Sequence, residues 1–231
     1  LIIDCKFRYL QIFMNNKVHN FSAGPSILPE KVFEQASSSI NNFNGTGLSI
    51  LEISHRSKDF IDVLEEARSL AIEIAGLDKN EYSCLFLQGG ASMQFLMTAY
   101  NFLNENAAYI NTGSWSTKAI KEAKLFGNVT EIASSSDKNF NYIPKEININ
   151  DTYDYVHITS NNTIFGTQFH SFPETDSPLI VDMSSDIFSR KIDYSQFDLI
   201  YAGAQKNLGP AGATMVLIKN SLLEKVKRDV P

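Results

Sequence analysis

The sequence predicts an α/β fold: one three-layer domain in which a mainly parallel sheet is covered by helices. Three observations predict it. Short apolar runs alternate with segments whose apolar residues recur at helical spacing, the pattern of strands alternating with helices. Such alternation builds parallel sheets covered on both faces. The runs end in clusters of Gly, Ser, Thr and Asn, which break periodic structure. Finally, 231 residues with 43% hydrophobic and 20% charged side chains suffice for one large core of ordinary globular composition.

The elements follow in order. Val32, Phe33, Ala36, Ile40 and Phe43 keep helical spacing behind Pro29, and Asn44-Gly45-Thr46-Gly47 then forces a turn. A second amphipathic helix carries Ile61, Leu64, Ala67, Leu70, Ala71 and Ile74 and stops at Gly76. Residues 82–87 read as a buried strand broken by Gln88-Gly89-Gly90, before a helix with Phe95, Leu96, Ala99 and Leu103. Strand 107–111, helix 115–126 closed by Gly127, and strand 129–133 come next. Residues 134–150 are polar and aperiodic, hence a loop region, and further strands are expected at 155–159, 179–183, 199–202 and 214–219. No internal repeat or low-complexity linker divides the chain.

Composition narrows the function. Twenty basic against 26 acidic side chains leave a charge of −6, which argues against a broad footprint for nucleic acid or anionic membrane. A local cation cluster still suits a small anionic substrate. Cys5 and Cys84 form neither a disulfide framework nor a metal-ligand spacing, so a reducing, cytoplasmic setting is expected. Cys84 lies in an apolar run, as a buried thiol does. Residues 1–18 read as an N-terminal extension. Asp4, Lys6 and Arg8 interrupt its apolar run, so neither a signal peptide nor a membrane span is expected there. Met14 is the expected natural start, and residues 19–231 form the domain.

Ligands of open α/β sheets bind beyond the carboxyl ends of the strands. Those ends read Gln88-Gly89-Gly90-Ala91-Ser92, Thr112-Gly113-Ser114-Trp115, Ser160-Asn161-Asn162-Thr163, Asp182 and Gly203-Ala204-Gln205-Lys206. Each has two readings. Gly89-Gly90-Ala91-Ser92 is either a tight strand–helix turn or a phosphate cradle at a helix N-terminus, and it matches neither a dinucleotide fingerprint nor a Walker loop. Asp182 either caps a following helix or pairs with a protonated ring nitrogen. Lys206, set among small residues, is either a surface lysine or an amine activated for imine chemistry. Trp115 is a core anchor or a stacking platform, and Thr163 a turn hydroxyl or a donor. His55-Arg56 is a solvated helix entrance or an anchor for carboxylate and phosphate.

Taken together, six motifs in order resemble one family over residues 19–231. They are Asn20-Phe21-Ser22-Ala23-Gly24-Pro25, Glu52-Ile53-Ser54-His55-Arg56, Gln88-Gly89-Gly90-Ala91-Ser92-Met93-Gln94-Phe95, Asn161-Asn162-Thr163-Ile164-Phe165-Gly166, Asp182-Met183-Ser184-Ser185, and Tyr201 through Gly212. The chain resembles the phosphoserine aminotransferases, a class V group of fold-type I pyridoxal-phosphate enzymes. The resemblance implies pyridoxal 5′-phosphate bound to Lys206 as a Schiff base, with Asp182 at its pyridine nitrogen. It places Trp115 on the ring, Thr163 near the phenolic oxygen or the ring, and Ala91, Ser92 and Gln205 around the phosphate. His55 and Arg56 would face the anionic groups of the substrate, and Ser22 would lie in the N-terminal segment that closes over them.

The implied reaction moves an amino group from glutamate to 3-phosphohydroxypyruvate, in a homodimer and with no nucleic-acid or membrane partner. Two departures stand out. Some relatives carry arginine where this chain has Ser92. The family also continues past the position of Pro231 into a small C-terminal domain, which supplies an arginine and an Asn-Thr pair that this sequence lacks. Residues 19–231 are therefore expected to be a large domain incomplete at its C-terminus. Three alternatives stay open: a fragment that binds cofactor without turnover, a cysteine desulfurase, and an alanine–glyoxylate-type enzyme.

Overall fold

The structure, a computed structural model, describes residues 18–226. The expected start at Met14 lies outside the described residues, as does Cys5. Helix α1 (Glu30–Asn41) and helix α2 (Lys58–Ala75) precede the sheet. Ser57 caps α2 by accepting from the Phe60 N–H, and Gly76 ends it at φ 66° in the left-handed region.

Strands and helices then alternate as the sequence predicts: β1 (Tyr82–Gln88), α3 (Ser92–Phe102), β2 (Asn106–Asn111), α4 (Ser114–Ala123) and β3 (Asn128–Ser134). After the 135–155 connection come β4 (Val156–Thr159) and a two-stranded hairpin, β5 (Asn161–Asn162) with β6 (Thr167–Gln168). Strands β7 (Leu179–Asp182), β8 (Leu199–Gly203) and β9 (Ala213–Lys219) and the short α5 (Asn220–Leu223) finish the described chain.

Seven strands form one sheet in the order β1-β9-β8-β7-β4-β2-β3. Strand β9 runs antiparallel to both neighbours, and the remaining pairs are parallel. The exception has a simple cause. The 204–212 loop returns the chain at the same end of the sheet, whereas a parallel partner needs a crossover of a dozen residues or more.

Central strands are buried on both faces, so they read as continuous apolar runs rather than as alternation. In β8, Ile200 and Ala202 join a core with Ala71, Ala75, Ile158, Val181 and Leu217 beneath α2. Leu199 and Tyr201 join Phe95, Ala99, Ala119, Ile120 and Val216 beneath α3 and α4. Cys84 is a buried free thiol in the first core.

Helix α1 departs from its amphipathic promise. It buries no side chain, and Val32, Phe33 and Ile40 stand exposed. Its spacing is right, but none of the described residues covers its apolar stripe. Only Phe43, in the 3₁₀ turn that follows, finds the interior. Among the described residues, no helix is long and apolar enough to cross a membrane.

Candidate active site

The register brings the carboxyl ends of the parallel strands to one edge. Asp182 pairs with Thr159 on one side and Tyr201 on the other, Gly203 with Thr214, and Gln88 with Ala213. Gly89, at φ 98°, turns the chain from β1 into α3 and is tied to the neighbouring loop by its N–H to the Gly212 carbonyl. No side chain caps α3, so its first N–H groups and the positive end of its dipole face outward at Ala91 and Ser92.

A small pocket of about 90 Å³ opens there, lined by Gly90, Ala91, Ser92, Phe95, Trp115, Asp182, Ser184, Gln205 and Lys206. Four different strand ends therefore supply one concavity, as expected at the switch edge of an α/β sheet.

Asp182 ends β7 and is buried. Its Oδ1 accepts from the Ser184 N–H at 2.9 Å and from the Ser184 hydroxyl at 2.6 Å. The Ser184 hydroxyl in turn accepts from the Gly203 N–H at 3.0 Å, which ties the carboxylate to β8. Burial pushes the Asp182 carboxyl above its ordinary range, while the Ser184 bonds and the Lys206 charge pull it back. A buried carboxylate so placed favours a cationic partner inside the pocket.

Lys206 is half-buried, and its amine is held below the ordinary lysine range by that burial, against the opposing pull of Asp182. Its Nζ donates to Thr163 Oγ1 at 2.9 Å and lies 5.2 Å from the centre of the Trp115 ring. Trp115 sits in the first turn of α4, and its Nε1 is buried without a partner. Asn162 Oδ1 is likewise buried and unpartnered, although Asn162 Nδ2 donates to Thr112 Oγ1 at 3.0 Å.

Of the residues singled out from sequence, Ala91, Ser92, Trp115, Asp182, Gln205 and Lys206 line the pocket, and Thr163 joins them through its bond to Lys206. Ser22 is exposed, but its segment lies against the lysine loop. The Ser26 N–H donates to the Gln205 carbonyl at 2.9 Å, and its hydroxyl to the Lys206 carbonyl. His55 and Arg56 stand exposed in the turn before α2 and are not among the pocket residues.

The sequence alone gives no site role to Ser184 or Phe95, although both fall within its motifs, nor to Asp186. The Asp-x-Ser spacing of 182–184 is an Asx-type turn signal that points to Ser184. Nothing local in the sequence marks Asp186, whose role depends on a hairpin that the sequence did not disclose. The sequence alone also gives no sign of a buried row under α3 and α4. There His157 Nε2 lies 2.8 Å from Tyr201 Oη, and burial pushes the imidazole down to about 3, so it is neutral.

A mainly parallel sheet between helices, with a lysine, a buried carboxylate and an open helix N-terminus at its carboxyl edge, is the architecture of the large domain in fold-type I pyridoxal-phosphate aminotransferases. The chain belongs to the class V aminotransferase family, whose model matches residues 18–229. It is 61% identical over 217 residues to the phosphoserine aminotransferase of Flavobacterium johnsoniae, an alignment covering 93% of this chain and 61% of that protein.

Among solved structures it resembles the phosphoserine aminotransferase of Bacillus circulans subsp. alkalophilus, with TM-score 0.89 and 46% identity over 93% of this chain and 61% of that one. It also resembles pyridoxal-phosphate-bound phosphoserine aminotransferase from Trichomonas vaginalis, with TM-score 0.85 and 34% identity over 93% and 65% of the two chains. The chain thus spans about three fifths of the length of the relatives it matches.

The residues fit the cofactor of that family. Its phosphate suits the uncapped N-terminus of α3, and its ring nitrogen suits the buried Asp182.

Proposed function

We propose that this protein is a pyridoxal-phosphate-dependent transaminase that moves an amino group from glutamate to 3-phosphohydroxypyruvate, giving 2-oxoglutarate and phosphoserine. The observation that carries this reading is the convergence of Lys206, Thr163 and buried Asp182 on one pocket beside the open end of α3. When bound, the cofactor supplies a carbonyl for the amine and a ring that accepts the electrons of a carbanion.

The chain's own groups supply the rest. Lys206 would hold the cofactor and, once displaced, would act as the base that takes the proton from the substrate Cα and the acid that delivers it to the carbon on the far side of the transferred nitrogen. Burial lowers its proton affinity against the pull of Asp182, which favours the free amine that this role requires. Asp182 keeps a proton on the ring nitrogen. The Thr163 hydroxyl orients the Lys206 amine, and Trp115 offers its indole as a stacking face. Ala91, Ser92 and Gln205 hold the phosphate.

Ser22, His55 and Arg56 answer the anionic ends of the substrates. The exposure of all three suits groups that meet a ligand rather than the core. Ser92 brings no cation to this task, which places more of it on Arg56. The reading brings with it a homodimer, from the family resemblance, and a cytoplasmic setting, which the sparse cysteines suit.

The test is Lys206→Ala. It is expected to abolish both the visible absorbance of covalently held cofactor and the exchange of glutamate with 3-phosphohydroxypyruvate. Retained turnover would overturn the assignment, and preference for cysteine or glyoxylate would redirect it within the family. A second reading is binding without turnover by this chain alone. It is favoured by the chain's three-fifths span of its relatives, and a cofactor spectrum without transamination would establish it.

A further inference from the structure

Thr163 reaches Lys206 from the β5–β6 hairpin, an excursion between β4 and β7 that pairs with no other strand. Something must hold that hairpin in place for its hydroxyl to meet the amine. Asn162 ties the hairpin to Thr112, and the ties at its two ends run to one loop, residues 183–190, directly after Asp182. Asp186 is buried there, and its two carboxylate oxygens divide between the two ends of the hairpin. Oδ1 accepts from the Ser160 hydroxyl at the end of β4, and Oδ2 accepts from Gln168 Nε2 on β6 at 3.0 Å.

Neighbours complete the clamp. Ser185 Oγ accepts from Asn161 Nδ2 at 2.8 Å and donates to the Asn161 carbonyl at 2.9 Å. Arg190 donates to the Phe169 carbonyl at 2.6 Å and stands 3.7 Å from Asp186 Oδ2.

We propose that Asp186 is a positioning residue for the cofactor lysine: it clamps both ends of the 161–168 hairpin and so sets where the Thr163 hydroxyl meets the Lys206 amine. It acts through Thr163 and is not itself in the pocket lining. The clamp has a chemical logic. A bidentate carboxylate with a donor on each oxygen fixes separation and orientation together, which one neutral hydrogen bond does not. The same loop follows Asp182 directly and carries its partner Ser184, so the ring-nitrogen partner and the lysine's hydroxyl partner share one support. The inference rests on the reading of Lys206 as the cofactor lysine, but its test does not need the cofactor.

The experiment measures acylation of Lys206 by acetic anhydride at pH 8 in the cofactor-free protein, resolved by peptide mass spectrometry. Lys219, which pairs with Asp198 at 3.1 Å beyond the other end of the sheet, serves as internal control. Thr163→Val removes the acceptor for the amine and should speed Lys206 labelling by about threefold or more, as the loss of a hydrogen bond to a charged group implies. Asp186→Asn should speed it comparably and leave Lys219 unchanged. Gln168→Leu breaks the same tie without altering charge, and it keeps the test standing if Asp186→Asn does not fold.

In a Thr163→Val background, Gln168→Leu should add nothing further, because the two act through one contact. The proposal is overturned if Gln168→Leu and Asp186→Asn leave Lys206 labelling at the parent rate while Thr163→Val raises it. It is also overturned if Gln168→Leu has its full effect with valine at 163. An unchanged rate in Thr163→Val would remove the Thr163 contact itself, and the proposal with it. Failure of the cofactor reading shows separately, as absent visible absorbance in the parent protein after pyridoxal phosphate is added.

Discussion

Ser184 meets the buried Asp182 carboxylate twice, through its main-chain N–H at 2.9 Å and its hydroxyl at 2.6 Å. The same hydroxyl receives the Gly203 N–H. A two-residue turn thereby fixes the acid at the end of β7 against the strand that leads to Lys206. Ser184→Ala strips one bond from the carboxylate and leaves the Gly203 N–H without its acceptor. It should cost about 1–3 kcal/mol, the penalty for unsatisfied buried groups. Because the lost bond favours the ionised acid, the part of the cost that belongs to Asp182 is present above the raised folded values of parent and variant and vanishes as pH falls through them. Thermal melts of parent and variant at pH 7 and pH 4 check this: the gap should be wider at pH 7.

Asp182 is kept at a cost to the empty protein. Burial raises its folded carboxyl above the unfolded value, so the folded state binds the extra proton. The sign then follows: stability falls as pH rises from the unfolded value through the folded one, and stays lower above both. Asp182→Asn can still accept the Ser184 bonds but carries no charge. It should raise the melting temperature of cofactor-free protein at pH 7, with roughly 2–4 °C expected per kcal/mol regained. The gain should shrink towards pH 4, and cofactor-dependent turnover should be lost. A lower melting temperature for the variant at both pH values would contradict the account.

Gly113 shows how closely the hairpin approaches the sheet edge. Its backbone is extended, so the constraint is space rather than torsion. An added Cβ would lie 2.4 Å from Asn162 Oδ1 and 3.2 Å from a Phe165 ring carbon. Gly113→Ala should therefore cost about 1–3 kcal/mol, as overpacking of a filled interior does. Pairing it with Asn162→Ala should return part of that loss. Denaturant melts of the two single variants and the double variant give the coupling, and simple additivity would count against the contact.

Much of this molecule is legible in its sequence because single local signals suffice. Gly76 ends α2 in the left-handed region, as its residue type implies, and the runs at 179–182 and 199–203 are strands buried on both sides. Asp182 and Lys206 could be placed at strand ends from pattern alone. The antiparallel direction of β9 could not, because apolar runs carry no record of direction. The clamp around Asp186 was hidden for a related reason. Its partners, Ser160, Gln168 and Arg190, meet only after β4 and β7 have paired. The stripe on α1 shows the reverse case, a correct helix whose covering surface is not among the described residues.

Trp115 allows the site to be followed without any label, since it is the only tryptophan in the chain. Its indole stands 5.2 Å from the Lys206 amine and 4.4 Å from that of Lys118, with its own N–H buried and unpartnered. Emission from the cofactor-free protein therefore reports on the pocket alone. Adding pyridoxal phosphate should quench it saturably, with the same midpoint as the rise in visible absorbance. Inorganic phosphate, which occupies only the helix end, should compete weakly and leave the visible region unchanged. Trp115→Phe keeps a ring but gives up area and the indole N–H, and it should weaken cofactor binding by about 1 kcal/mol, near fivefold. Quenching that follows a different midpoint from the absorbance would detach Trp115 from the lysine's site.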